Sequence, residues 1–172
     1  HLRLRYEPDQ ADISGMSDSD WAVKHSTTGW TFQFSSAAVS WCSKKQPTIA
    51  LSSAEAEIVA ATDASKEAVH LRRFLLELGI DSHYGPTSVS TDNMAAQALS
   101  YNPEHHQRVK HVERQHFFIR ELVENLKIRV PHVRTEDNTS DIFTKPLQGN
   151  TYYRLRDQLM NLGAPSSRGG VS

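Results

Sequence analysis

Between residues 13 and 45 apolar and polar positions alternate in short runs, broken at His25–Gly29 and again at Ser35–Ala38. Alternation with period two is what a half-buried strand requires. The spacing predicts three strands, near 13–22, 29–35 and 38–44, joined as a meander. Downstream the period changes. Ser52-Ser53-Ala54-Glu55 has the S-x-x-E form of a capping box, which satisfies backbone donors at a helix start. The helix it opens is expected over about 53–78, ending at Gly79. Its inward stripe is Ala60, Ala61, Ala64, Ala68, Leu71, Leu75 and Leu78, at helical spacing. The alanine half of that stripe lets a neighbouring element approach closely.

Gly85-Pro86 marks a turn, and Thr87–Thr91 reads as a short strand ending at Asp92. A helix follows through Leu99, and Asn102-Pro103 breaks it. A second long helix is expected over about 105–126, with Val109, Val112, His116, Ile119, Val123 and Leu126 as its stripe. Lys127–Val133 reads as a strand, Glu136–Thr139 as a turn, Ser140–Lys145 as a short helix and Tyr152–Leu162 as a last amphipathic one. The order β-β-β-α-β-α-α-β-α predicts the α/β class, a mixed sheet flanked by helices.

Composition narrows the picture. At 172 residues, with 38% hydrophobic and 23% charged, the chain fits one soluble globular domain. The folded part is expected over 1–163, and the Pro/Ser/Gly-rich stretch 164–172 is expected to be a flexible tail. No apolar run approaches the roughly 18 residues of a membrane span, so no membrane partner is expected. The single Cys42 excludes an internal disulfide framework and a zinc site built on several thiolates. The chain begins at His1 rather than Met, as a piece of a longer product would. The formal charge is −1. A nucleic-acid binder of this balance needs local positive charge or metal ions.

Four acidic positions stand out by place. Asp92 follows a strand, Asp18 lies late in the first strand, Glu57 shares the inward helix face with Ala60, Ala61 and Ala64, and Asp141 opens a short helix. Two strand ends and two helix starts can meet at one edge of a sheet. Clustered buried carboxylates repel and are costly to desolvate, unless divalent cations sit among them. Oxygen ligands suit Mg²⁺ or Mn²⁺. Two such ions about 4 Å apart can clamp the attacking and leaving oxygens of a phosphodiester. Other roles stand beside this one. An Asp early in a helix, such as Asp141, is commonly a cap. Glu55 is explained by the capping box. Asp18 and Asp20 share a strand face, and spacing does not choose between them.

The motifs, read in order, are more specific. Ser17-Asp18-Ser19-Asp20-Trp21-Ala22 and Ser26-Thr27-Thr28-Gly29 resemble the S-D-x-D-W-A…S-T-x-G stretch of copia-type retrotransposon polyproteins. Trp41-Cys42-Ser43-Lys44-Lys45-Gln46-Pro47-Thr48 and Leu51-Ser52-Ser53-Ala54-Glu55-Ala56-Glu57 resemble the W-x-S-K-K-Q and L-S-S-x-E-A-E blocks. Asp92-Asn93, Lys110-His111-Val112-Glu113, Thr135-Glu136-Asp137 and Asp141-Ile142-Phe143-Thr144-Lys145-Pro146-Leu147 are similar to the D-N, K-H-I-D, T-E-D and D-I-F-T-K-P-L blocks. The likeness runs from about Leu4 to Leu162. Two departures are a shorter stretch after Ala22 and Ser140 where Ala is common. His132 is the only histidine close before Asp141, and it falls within the expected strand.

In that family the segment is the ribonuclease H domain of the Pol polyprotein, downstream of reverse transcriptase. The resemblance implies a ribonuclease H-like fold with a five-stranded mixed sheet. It implies a metal tetrad of Asp18, Glu57, Asp92 and Asp141 holding two Mg²⁺ or Mn²⁺ ions. Asp18 would bridge both, Glu57 and Asp92 would hold one and orient water, and Asp141 would hold the other. The reaction implied is endonucleolytic hydrolysis of the RNA strand of an RNA–DNA hybrid, leaving a 5′-phosphate and a 3′-hydroxyl. The upstream reverse transcriptase is the implied protein partner, and a cytoplasmic virus-like particle the implied location. Asn93, Ser52 and Ser53 lie close enough in sequence to the ligands to contact a 2′-hydroxyl. Segment 105–134 holds seven Lys and Arg against three acids. Its Arg108, Lys110 and Arg114, with Lys44 and Lys45, are candidates to track the phosphate backbone. One alternative stays open, a catalytically weak or domesticated module that tethers nucleic acid; the ordered copia-type blocks argue against an integrase-like or resolvase-like nuclease.

Overall fold

The computed structural model describes residues 2–7, 12–80, 85–94 and 110–162. Three strands, β1 (Ile13–Asp20), β2 (Thr27–Phe34) and β3 (Ala37–Lys45), form the expected antiparallel meander. The long helix α1 (Ser53–Glu77) then returns the chain to β4 (Thr87–Thr91), which lies parallel to β1 on its other side. Helix α2 (Lys110–Glu124) leads into β5 (Ile128–Arg129), parallel to β4. The mixed five-stranded sheet has the order β3-β2-β1-β4-β5. Two 3-10 turns, Thr135–Asp137 and Thr139–Phe143, and helix α3 (Gly149–Met160) complete the described chain.

Local chemistry sets the ends of α1. The Ser52 side chain accepts from the Glu55 N–H at 3.2 Å, and Glu55 Oε2 accepts from the Leu51 N–H at 2.9 Å. At the other end Gly79 adopts φ +74°, while the Ile80 N–H reaches the Leu75 carbonyl and the Gly79 N–H that of Leu76, both at 3.0 Å. That pair of bonds is a Schellman cap, and glycine takes the left-handed position without a Cβ penalty. Leu78 therefore sits at the cap and is exposed, not on the buried stripe as expected. Ala60, Ala61, Ala64, Ala68 and Leu75 are buried. They bring α1 down on the sheet, where Ile13, Phe32, Val89, Ile128 and Val130 form the core with Ile119 of α2. Phe32 lies across Gly15, where a Cβ would fall 2.3 Å from the ring.

Three other expectations need revision. Leu126 is exposed because it takes φ +53° in the cap that ends α2, with the Lys127 N–H bonded to Leu122. The last strand is shorter than Lys127–Val133. After Arg129 only a single parallel bridge, Thr91 to His132, continues it, since Pro131 has no N–H to give to a ladder. The segment expected as a short helix over Ser140–Lys145 is a 3-10 turn over Thr139–Phe143. The helix expected through Leu99, residues 105–109 of the second long helix, Arg108 and the tail 164–172 lie outside the described residues.

Candidate active site

Strand register brings the first two acids together. β1 and β4 are parallel neighbours with Ser17 opposite Thr91, so Asp18 and Asp92 are the next residues along each strand. This is the point where the sheet order reverses, at the carboxyl end of β4, and such points form a crevice. Glu57 enters from the first turns of α1. One carboxylate oxygen each from Asp18, Glu57 and Asp92 lies within 4.8 Å of the others. Asp18 and Glu57 are buried and Asp92 is half-buried. Asp20, which shares the period-two face, is exposed, so the structure separates two residues that spacing left equivalent.

Asp141, the fourth expected ligand, lies outside that group of three and approaches Asp18 alone, from the 3-10 turn. Asn138 fastens that turn: its amide Nδ2 donates to the Ser17 carbonyl at 3.1 Å, and its Oδ1 accepts from the Ser140 N–H at 3.2 Å and from the Ser140 hydroxyl. Gly29, opposite Asp18 in the β1–β2 ladder, lets the turn come close. A Cβ there would fall 2.6 Å from Thr144 Cγ2 and 3.0 Å from the Ser140 carbonyl oxygen. The Thr144 hydroxyl donates to Asp18 Oδ2. The Lys145 ammonium stands 3.6 Å from that same oxygen and 3.1 Å from Asp141 Oδ1.

The charges in the pocket are not at ease. Burial pushes the Glu57 carboxyl up to about 8, the Asp18 charge adds to the rise, and donation from Ser19 opposes it. Burial, then the Asp18 charge, also raises Asp141, against the pull of Lys145. Burial works to lower the Lys145 ammonium, but Asp18 and Asp141 outweigh it and hold it above its ordinary value. Among the described residues Glu57 Oε2 is buried with no hydrogen-bond partner. A divalent cation fits this donor set. It is all oxygen, it includes an unpartnered carboxylate oxygen, and it carries more negative charge than its neighbours neutralise.

The remaining sequence candidates are spread out. Ser52 and Ser53 are exposed at the start of α1, with Ser52 engaged as the cap. Asn93 is half-buried beside Asp92, its N–H directed to Thr91 Oγ1 at 3.3 Å. Lys44 pairs with Asp63 at 3.0 Å and lies over the Trp30 ring, and Lys45 donates to Thr27 Oγ1 at 2.9 Å. Arg114 is exposed on α2, Lys110 begins that helix, and Arg108 lies outside the described residues. His132, at its lone bridge beside Thr91, is exposed.

Ser19, Asn138, Thr144 and Lys145 were not singled out from the sequence. For the last two a signal existed. They follow Asp141 by three and four residues, the spacing at which side chains of a helical turn meet. Ser19 and Asn138 have no periodic signature.

The five-stranded mixed sheet with its flanking helices is a ribonuclease H-like fold, and solved structures agree. The chain superposes on ribonuclease H1 of the archaeon Halobacterium salinarum with a TM-score of 0.59 at 13% identity, covering 77% of this chain and 94% of that one. With LC11-RNase H1 in complex with an RNA/DNA hybrid the TM-score is 0.56 at 13% identity, covering 77% and 94%. With the prototype foamy virus protease-reverse transcriptase it is 0.50 at 15% identity, covering 93% of this chain and 21% of that one.

In sequence, the chain is 39% identical over 144 residues to the retrovirus-related Pol polyprotein from transposon TNT 1-94 of Nicotiana tabacum, covering 81% of this chain. It is 36% identical over 163 residues, 92% of this chain, to that from transposon RE2 of Arabidopsis thaliana. It belongs with the retrovirus-related Pol polyproteins of plant transposons, as a segment of ribonuclease H fold spanning 11% of the length of each of these relatives. No protein-family model matches it. Among the described residues no helix is long and apolar enough to cross a membrane.

Proposed function

We propose that this chain is a metal-dependent ribonuclease H that hydrolyses the RNA strand of RNA–DNA hybrids made during retrotransposon reverse transcription, beside a reverse transcriptase of the same copia-type polyprotein. The observation that carries this reading is the convergence of Asp18, Glu57 and Asp92 within 4.8 Å, with a buried Glu57 oxygen left unpartnered. The hybrid-bound neighbour and the Pol relatives support an RNA–DNA hybrid as the substrate.

Asp18, Glu57 and Asp92 are the residues to hold a first divalent cation, Mg²⁺ or Mn²⁺, and Asp18 with Asp141 a second. Bound there, such ions supply Lewis-acid stabilisation of a pentavalent phosphorus and a more acidic water. The chain's own residues set the stage. Thr144 fixes the rotamer of Asp18 through its hydroxyl, and Ser19 fixes Glu57. Asn138 and Gly29 hold the Asp141 turn against β1 and β2. Asn93, next to Asp92 in sequence, and Ser52 and Ser53, at the start of the helix that carries Glu57, would be the groups to meet a ribose hydroxyl. Asp92→Asn removes one ligand charge without changing shape. Cleavage of a labelled RNA–DNA hybrid in Mg²⁺ should fall by three orders of magnitude or about that much, with the melting temperature held. Wild-type cleavage by the variant would remove the carboxylate pocket from the reaction.

A further inference from the structure

Two ends of the pocket are furnished differently. At the Glu57–Asp92 end, among the described residues, no ion pair reaches either carboxylate, and Glu57 Oε2 is bare. At the other end the Lys145 ammonium lies between two nearly buried carboxylates, 3.6 Å from Asp18 Oδ2 and 3.1 Å from Asp141 Oδ1. Its side chain remains one-third exposed while those of Asp18 and Asp141 are 3% and 6% exposed. Lys145 thus occupies that end with its ammonium while part of its side chain stays exposed. It is held there by the turn itself, since its own N–H bonds to the Asp141 carbonyl at 3.2 Å.

We propose that Lys145 is a resident counter-ion of the Asp18–Asp141 end, so that this end accepts a divalent cation only when the ammonium swings out. The proposal rests on the ribonuclease reading and adds to it an order of filling. The first ion enters the end where Glu57 and Asp92 hold no cation to displace and shares only Asp18 with the lysine. The second has to break two ion pairs and meets a like charge until the lysine leaves. The ammonium is small, singly charged and tethered by a flexible stem, so departure into solvent needs only rotamer changes. Lys145 also spares the metal-free chain two unpaired buried acids.

The test is Mn²⁺ titration of the 172-residue chain, followed by calorimetry and by melting temperature. The wild type should show one tighter ion and one weaker ion. Lys145→Met should tighten the second ion by about tenfold or more, lower the metal-free melting temperature and enlarge the rise that Mn²⁺ produces. Lys145→Arg keeps the charge and should keep the weak second ion. Superimposable titrations for wild type and Lys145→Met, or equal behaviour of the Met and Arg variants, would overturn the proposal. A measurement on the wild type alone guards against a misfolded variant. Acylation of Lys145, read by mass spectrometry, should rise as the second ion binds, and a constant or falling yield would also refute the exchange. Failure of the nuclease reading looks different: the wild type would bind no Mn²⁺ and cleave no hybrid. Cleavage with two ions of unchanged affinity in Lys145→Met would defeat only the counter-ion proposal.

Discussion

Ser19 grips Glu57 twice: its backbone N–H and its hydroxyl both donate to Oε1, at 3.2 and 2.9 Å. β4 pairs with β1 only as far as Ser17 opposite Thr91, so the Ser19 N–H lies beyond that pairing and is open to a side chain. The grip uses one oxygen and leaves Oε2 buried without a hydrogen bond. Ser19→Ala removes the hydroxyl and keeps the N–H, so Glu57 stays near but loses its fixed orientation. Outer-shell partners of this kind are worth about 10- to 100-fold in metal affinity or activity. The expected result is a kcat loss in that range with KM for hybrid unchanged and the melting temperature nearly so. An unchanged kcat at saturating Mg²⁺ and at limiting Mg²⁺ would show that the hydroxyl does not matter.

The raised Glu57 carboxyl makes the metal-free protein pH-sensitive. The folded state keeps its proton up to about 8, whereas an unfolded glutamic acid releases it near 4.5. Stability from this group is therefore complete below about 4.5 and declines as pH rises toward 8, because only the unfolded chain has shed the proton. Asp141, also raised, acts in the same direction. In EDTA the melting temperature should fall across this window. Glu57→Gln, which cannot ionise, should show a shallower fall and at pH 8 should melt above the wild type. Mg²⁺ should flatten the wild-type curve by favouring the ionised carboxylates. Equal slopes for wild type and Glu57→Gln in EDTA would place the strain elsewhere.

Gly29 should be as sensitive as a ligand although it carries no functional group. A methyl there meets Thr144 Cγ2 at 2.6 Å and the Ser140 carbonyl at 3.0 Å, and both belong to the turn that carries Asp141. Overpacking of this kind costs about 1–3 kcal/mol. Gly29→Ala should therefore lower both stability and divalent affinity. Thr144→Ser removes the nearest methyl and keeps the hydroxyl on Asp18, so the double variant should recover part of each loss. Absence of recovery, measured by thermal melting and Mn²⁺ titration, would point to the ladder rather than the turn.

Much of this architecture was readable from periodicity. The meander, the cap at Ser52, the alanine stripe and β4 all follow from local rules that tertiary packing did not override. The stripes failed at Leu78 and Leu126, where helix caps turn a periodic position outward. Asp92 was legible because a strand ended at it, and Glu57 because an acid on an alanine face has no bland role. Spacing within β1 left Asp18 and Asp20 equivalent; the family resemblance chose Asp18, and the pairing of β1 with β4 supplies the physical reason that spacing does not encode. Lys145 carried only its spacing from Asp141, and a lysine after a turn otherwise reads as solvated surface until Asp18 of β1 is in place beside it.

The same partner logic separates the basic residues expected to meet the hybrid. Lys44 is half neutralised in advance: Asp63 pairs with it at 3.0 Å, and Asp63 also takes Lys66 at 3.0 Å. Arg114 is exposed on α2, in the segment with the local basic excess. A cation that already has a carboxylate releases fewer counter-ions on meeting a phosphate. With Asp92→Asn as the background, so that hybrid is bound but not cut, Arg114→Ala should weaken binding and reduce the salt slope by about one. Lys44→Ala should change the slope less, since Asp63 loses its partner as the phosphate would gain one. Fluorescence anisotropy of a labelled hybrid between low and moderate salt reads both. A larger slope change for Lys44 than for Arg114 would move the phosphate path from α2 to the β3 edge.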